Sequence, residues 1–292
     1  MRSLWRRLGG GARKPNASTP GDLSTFLMEQ PFTPAELAQV PAGWRPRMPD
    51  FVGVGYGKAG TSWWYRLIVA HPSVAPNRLH TKELQYFYHF GSTGIPREAI
   101  ALYHQAFAAP EGKLCGEWSP GYLCYPLAMA YLAEAAPAAK ILVIVRNPID
   151  RMLSAVNQIY SARLPALGLQ GSAATLFEKH SAFPETVWSG LLMPHFAQLY
   201  SLFKPEQTLV LQYEKCKADL LGELARTYRF LGLDAEFVPQ RPAQPVNRKD
   251  YAVAPFSPEQ RAHLARYFAA DVRQFAETYG LIDLTLWQDF AP

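Results

Sequence analysis

The chain alternates short, unbroken apolar runs with longer stretches whose apolar positions recur at helical spacing. Phe51, Val52 and Val54 form one run, Lys140–Val145 (KILVIV) a second and Thr208–Gln212 (TLVLQ) a third, each suited to a strand buried on both faces. Leu114–Trp118 reads as a further short strand entering a turn at Ser119, Pro120 and Gly121. Trp63, Trp64, Leu67, Ile68 and Ala70 predict a helix, with Thr61 and Ser62 as caps and His71-Pro72 as its end. Pro126–Ala136 predicts an Ala-rich helix stopped by Pro137. Met152, Leu153, Val156 and Ile159 make the apolar stripe of another, capped near Asn147 with Pro148 in its first turn. Thr186–Phe203 predicts a helix interrupted or bent at Pro194, Leu220–Leu231 one ending in Gly232, and Ser257–Gly280 a long amphipathic one. Residues 161–185 read as a loop-rich insertion, and a short helix is expected around Pro34–Val40. Strands alternating with helices predict an α/β domain with a parallel sheet and right-handed crossovers.

The stretch Asp50–Ala70, DFVGVGYGKAGTSWWYRLIVA, is the most informative. An apolar strand runs into Gly53, Gly55, Gly57 and Gly60, and a helix starts at once. That arrangement points backbone N–H groups and the positive helix end at an anion, with Lys58 adding a full charge. Three kinds of site use it. A nucleoside-triphosphate P-loop requires G-x-x-x-x-G-K-[ST], but the residue five before Gly57 is Val52, and Ala59 follows Lys58. A dinucleotide fingerprint is formally present at Gly55, Gly57 and Gly60, yet HTKELQYF around Glu83 does not read as the strand end that should carry its acidic partner. A 5′-phosphosulfate loop needs Lys, Gly and Thr/Ser in the order Lys58-Ala59-Gly60-Thr61-Ser62. On the loop alone all three stay open.

At 292 residues with 49% hydrophobic, the chain can bury one large core. Its net charge of +5 suits an anionic ligand and is too small to argue for nucleic acid. Cys115, Cys124 and Cys216 have no metal-ligand spacing, so reduced thiols and a cytoplasmic location are expected. The seven histidines are scattered and no metal site is expected. Arg2, Arg6, Arg7, Arg13 and Lys14 sit among Gly, Ser and Pro with no apolar segment behind them. Residues 1–48 therefore read as a basic, Pro-rich, partly disordered extension and 49–292 as the domain, with no transmembrane run. Arg146 stands at a strand's carboxyl end and Ser154 on the helix after it, the edge where open α/β sheets bind ligands.

Together these pieces resemble the sulfotransferases that use 3′-phosphoadenosine-5′-phosphosulfate (PAPS), closest to the heparan-sulfate type and their bacterial relatives. Lys58-Ala59-Gly60-Thr61-Ser62 is similar to their 5′-phosphosulfate motif. Val143-Ile144-Val145-Arg146-Asn147-Pro148, continuing to Arg151 and Ser154, is similar to their 3′-phosphate motif. Lys82-Glu83 before Tyr86-Phe87, Val210–Glu214, and Phe230-Leu231-Gly232-Leu233 also fit. The resemblance implies a P-loop-like three-layer fold and sulfuryl transfer from PAPS to a hydroxyl of a glycan, glycolipid or small molecule, leaving adenosine 3′,5′-bisphosphate. It implies Glu83 as base, assisted by Lys58, and a cofactor held by Lys58, Ala59, Gly60, Thr61, Ser62, Arg146 and Ser154; charge and placement add Lys82 beside the sulfate or acceptor, and Trp63 is either core or packed on adenine. Arg248 and Lys249 are placed over the cofactor by charge alone. His80, Trp118, Ser119 and Tyr122 are expected on the acceptor side, with His80 the rival base. Where heparan-type enzymes carry Lys in a Glu-Lys-Thr/Ser-Pro segment, this chain has Glu117-Trp118-Ser119-Pro120, which suggests a less charged acceptor. The Golgi members' anchor is not seen, so a cytoplasmic bacterial-type enzyme is expected.

Overall fold

The computed structural model describes residues 32–37, 39–163, 187–240 and 255–291, with only the backbone for 159–163. Its centre is a sheet of five strands in the order β2-β3-β1-β4-β5: β1 Phe51–Gly55, β2 Val74–Ala75, β3 Leu114–Trp118, β4 Lys140–Val145 and β5 Thr208–Gln212. Every pairing is parallel, where the sequence predicted a mainly parallel sheet. The apolar runs are continuous because helices cover both faces, and β1 and β4 are buried almost throughout. The two-residue β2 carries no pattern long enough to read in advance.

The helices are α1 Thr61–Val69, α2 Arg97–Gln105, α3 Pro126–Ala135, α4 Pro148–Arg163, α5 Met193–Leu202, α6 Tyr213–Ala218, α7 Leu220–Leu231 and α8 Pro258–Tyr279. Asn147 caps α4 as expected, its Oδ1 accepting from Ile149 N–H at 3.0 Å. Ser257 and Gln260 form a reciprocal capping box on α8, and Gly232 and Gly280 end their helices in the left-handed conformation. One expectation fails for a local reason, and another resolves between its two alternatives. Thr61 and Ser62 do not cap α1; they are its first helical residues, behind Gly60. The stretch Thr186–Phe203 is interrupted and not bent: α5 starts at Met193 with Pro194 in its first turn, where a missing N–H costs nothing. The insertion at 161–185 falls, beyond the end of α4, outside the described residues.

Close packing under β1 comes from glycine. A Cβ at Gly53 would lie 2.0 Å from the indole of Trp118, so only glycine lets β3's tryptophan cross β1. Phe32 and Leu37 are buried in the same core, with Phe32 stacked on Tyr86 at 4.9 Å. The segment before β1 thus packs on the domain from residue 32 onward. β1, β3, β4 and β5 all deliver their carboxyl ends to one edge, with β1 between strands reached in opposite directions. This is the place where a crevice opens in such sheets.

Candidate active site

The loop after β1 starts by extending the sheet, as Tyr56 N–H donates to Ile144 O at 3.1 Å. Lys58 then turns at φ 69 and Gly60 at φ 94. A Cβ at Gly60 would meet the Tyr213 ring at 2.8 Å, so glycine is required by both backbone and space. No side chain caps α1, and its leading N–H groups have no intrahelical acceptor, which leaves an anion-seeking helix end at the crevice. Trp63 lies half-buried with its ring edge-on to Tyr213 at 6.3 Å, while Trp64 is core, donating from Nε1 to Thr227 Oγ1 at 3.0 Å.

Facing the loop is the segment after β2. Lys82 Nζ donates to Thr61 Oγ1 and Ser62 Oγ at 3.0 Å each and to Glu83 Oε1 at 2.7 Å. This lysine is largely buried, and burial lowers its pKa while the Glu83 charge pulls it back up. Lys82 and Glu83 are therefore a linked part of the crevice wall and not a solvated surface pair. Glu83 keeps a third of its side chain exposed (35%), and its other oxygen accepts from Gln85 Nε2 at 3.1 Å. His80, by contrast, is exposed, three residues back along the segment. Among the described residues, the only non-glycine positive φ values are those of Lys58, His80 and Gln85. Strain is confined to the two segments that face each other across the crevice.

The third component is Arg146 at the end of β4. It donates to Lys58 O at 2.9 Å and lies over the Tyr213 ring at 4.7 Å, and its buried Nε has no hydrogen-bond partner among the described residues. Ser154 is half-buried two turns along α4. Behind Arg146, Asn147 N–H donates to Glu214 Oε1 at 3.1 Å and Asn147 Nδ2 to Asp289 Oδ2 at 2.8 Å. Glu214 also accepts from Trp287 Nε1 at 2.7 Å, and Asp289 accepts twice from Arg261 at 2.6 Å. Neither Trp287 nor Asp289 was singled out in the sequence, since nothing local marks a distant segment as a brace.

Trp118, Ser119 and Tyr122 stand elsewhere than expected. All three are fully buried and face inward from the crevice wall, with polar atoms engaged inside the protein. Trp118 Nε1 donates to Gly55 O at 3.3 Å, and the hydroxyls of Ser119 and Tyr122 donate to Glu117 at 2.5 and 3.3 Å. Glu117 itself was missed as a site residue, although a lone carboxylate in the strand LCGEW is a visible signal. Burial pushes its pKa up to about 7 against four donors that pull it down. Arg248 and Lys249 lie outside the described residues. Among the described residues no group of His, Cys, Asp and Glu is placed to hold a metal, and no helix is long and apolar enough to cross a membrane.

Comparison with known proteins supplies the context for this geometry. Residues 48–250 match the family described as the sulfotransferase domain. Heparan sulfate glucosamine 3-O-sulfotransferase 3A1 of Mus musculus is 25% identical over 224 residues, covering 74% of this chain and 54% of that protein. Heparan sulfate glucosamine 3-O-sulfotransferase 6 of Homo sapiens is 28% identical over 229 residues, covering 76% of this chain and 63% of the relative. The chain thus spans less than two thirds of either. The crystal structure of a sulfotransferase from Alicyclobacillus acidocaldarius shares the fold, with a TM-score of 0.62 at 24% identity over 83% of this chain and 99% of that one.

Proposed function

The chain belongs to the sulfotransferase domain family, and from that premise we propose that it moves a sulfuryl group from PAPS to a hydroxyl of an acceptor. The observation that carries this reading is Lys82, whose one ammonium group joins the start of α1 to the Glu83 carboxylate. An anion site and a proton acceptor are thereby held in a single frame. PAPS, when bound, supplies the activated sulfuryl group and presents phosphates at two separated positions. The residues fit that need. The α1 amides behind Gly60, with Lys58, form one anion site, and Arg146, whose buried Nε has no acceptor among the described residues, forms the other with Ser154. Trp63, half-buried beside Tyr213, offers a ring next to both.

In this reading Glu83 takes the proton of the acceptor hydroxyl. Its exposed third leaves room for an acceptor, and the Gln85 amide and Lys82 ammonium orient its two oxygens. Lys82 and the helix end stabilise negative charge at the mouth of the loop, the largest contribution expected in group transfer of this kind. Where heparan-type enzymes carry lysine this chain has Trp118, with its ring buried in the core. That favours a weakly charged acceptor: a neutral glycan, a glycolipid or a small-molecule hydroxyl.

The test is thermal denaturation with adenosine 3′,5′-bisphosphate, AMP, ATP and NAD in parallel. Bisphosphate at 100 times its Kd should add about 2.7 kcal/mol of stability. Arg146→Ala should weaken bisphosphate about ten- to over a hundred-fold, the worth of a lost charge-assisted contact of roughly 1.5–3 kcal/mol, and leave AMP nearly unchanged. Equal losses for both ligands would make Arg146 a structural cap. Stabilisation by ATP or NAD in place of bisphosphate would turn the site into that of a kinase or dehydrogenase.

A further inference from the structure

Glu117 sits near the carboxyl end of β3, fully buried, with no lysine or arginine against it among the described residues. Its Oε2 accepts from Leu84 N–H at 3.0 Å and from the Ser119 hydroxyl at 2.5 Å. Its Oε1 accepts from the hydroxyls of Tyr103 at 2.8 Å and Tyr122 at 3.3 Å. Two of these hydroxyls reach onward to the same stretch of backbone. Ser119 Oγ accepts from Gln85 N–H at 2.9 Å, and Tyr122 Oη from Tyr86 N–H at 2.8 Å. One carboxylate therefore fixes three successive amides, one directly and two through a single hydroxyl each. On the other side of Glu83, Trp118 N–H donates to Lys82 O at 2.8 Å. Gln85, in the middle of the clamped amides, is held at φ 52, a conformation that persists only where its surroundings over-determine it.

We infer that Glu117 is a positioning residue for the proposed transfer: through the amides of Leu84, Gln85 and Tyr86 its carboxylate aims Glu83 at the acceptor hydroxyl. The inference rests on Glu83 being the base. Only an ionised carboxylate accepts from all four donors at once. A proton on Glu117 would stand among them, and while the hydroxyls can rotate away, the Leu84 amide cannot. Burial brings that protonation up to about pH 7, so the clamp tightens as pH rises through neutrality. The other titratable groups that sense this carboxylate are the phenols of Tyr103 on α2, Tyr122, Tyr65 on α1 and Tyr88. All are pushed upward by burial and stay neutral across this range. Lys82 and Glu83 are the charged pair on the clamped segment itself.

The experiment compares wild type, Glu117→Gln, Ser119→Ala and Glu83→Gln by amide hydrogen exchange and by release of adenosine 3′,5′-bisphosphate from PAPS over a panel of neutral glycosides and phenols. In Glu117→Gln, protection factors at Leu84, Gln85 and Tyr86 should fall at least tenfold while those of β4 hold. Bisphosphate affinity should stay within twofold, and kcat should drop about 10- to 100-fold with acceptor KM unchanged. In wild type the same three protection factors should rise through pH 7, a trend absent from Glu117→Gln. Ser119→Ala should loosen Gln85 alone. Wild-type protection at all three amides in Glu117→Gln, or loss of protection throughout the sheet, would overturn the inference. Glu83→Gln separates the two readings. If it keeps turnover, the base assignment fails and the positioning role with it, whereas an inactive Glu83→Gln beside a fully active Glu117→Gln overturns the positioning role alone.

Discussion

Glu83 and Glu117 show how surroundings divide labour between two carboxylates. Glu83 keeps a third of its surface in solvent beside a lysine, while Glu117 is sealed among hydroxyls and a backbone amide. A proton acceptor must reach its substrate, so Glu83 qualifies and Glu117 does not. His80 is also accessible, but it lies back along the segment, outside the frame made by Lys82, Thr61 and Ser62. Glu83→Gln should therefore lose about 10²–10⁴-fold in turnover with bisphosphate binding intact, and His80→Asn should lose far less. A dead His80→Asn beside an active Glu83→Gln would reverse the two roles. Lys58, Glu83 and Arg146 stand out in the sequence because they sit beside glycines, aromatics or a strand end. Trp118, Ser119 and Tyr122 were read correctly as residues at a strand terminus and misplaced in space. β3 ends at Trp118, and the turn that follows folds Ser119 and Tyr122 back onto the Glu117 carboxylate, a closure the sequence does not announce.

Among the elements, the loop between β1 and α1 concentrates the constraints. Gly60 combines a left-handed backbone with the Tyr213 ring at contact distance, and that ring also carries Arg146 on its face. Substituting Gly60→Ala forces a side chain into a conformation that costs roughly 1–2 kcal/mol before any clash is counted. Chemical denaturation should show at least that loss. Bisphosphate affinity should fall with it, because Tyr213 must move and Arg146 with it. A Gly60→Ala protein as stable as wild type would mean that the loop is not held as described. Strands β1, β4 and β5 were legible because burial on both faces writes an unbroken apolar run. The helix Arg97–Gln105 was not read: it is only nine residues long and no side chain caps its start, although Ala99, Leu102 and Tyr103 bury one helical face. The start of α5 was misjudged because a proline marks a kink and a first turn equally well.

At the scale of the whole molecule, the site is braced from both ends of the described chain. Phe32 stacks against Tyr86, the last of the three clamped residues, and Arg78 holds the carbonyls of Leu37 and Gln39 at 2.8 and 2.6 Å. Composition drew the domain boundary near residue 48, because a few apolar residues in a Pro-rich stretch do not announce where they will dock. At the opposite end, Gln212 at the tip of β5 exchanges two hydrogen bonds with Asp283, Trp287 is fully buried on Glu214, and Asp289 is shared between Asn147 and Arg261. The strand end that presents Arg146 thus leans on residues well over a hundred positions later. During translation this imposes an order of events, since amino-terminal segments leave the ribosome first. The glycine loop and β4 can pair early, but the peptide carrying Asn147 has no Asp289 and no Trp287 until residues 283–290 have cleared the exit tunnel. Nascent chains arrested before that point should fail to be retained on immobilised adenosine 3′,5′-bisphosphate, and chains arrested after it should be held. Equal retention of both would mean that the brace adds nothing to the competence of the newborn site.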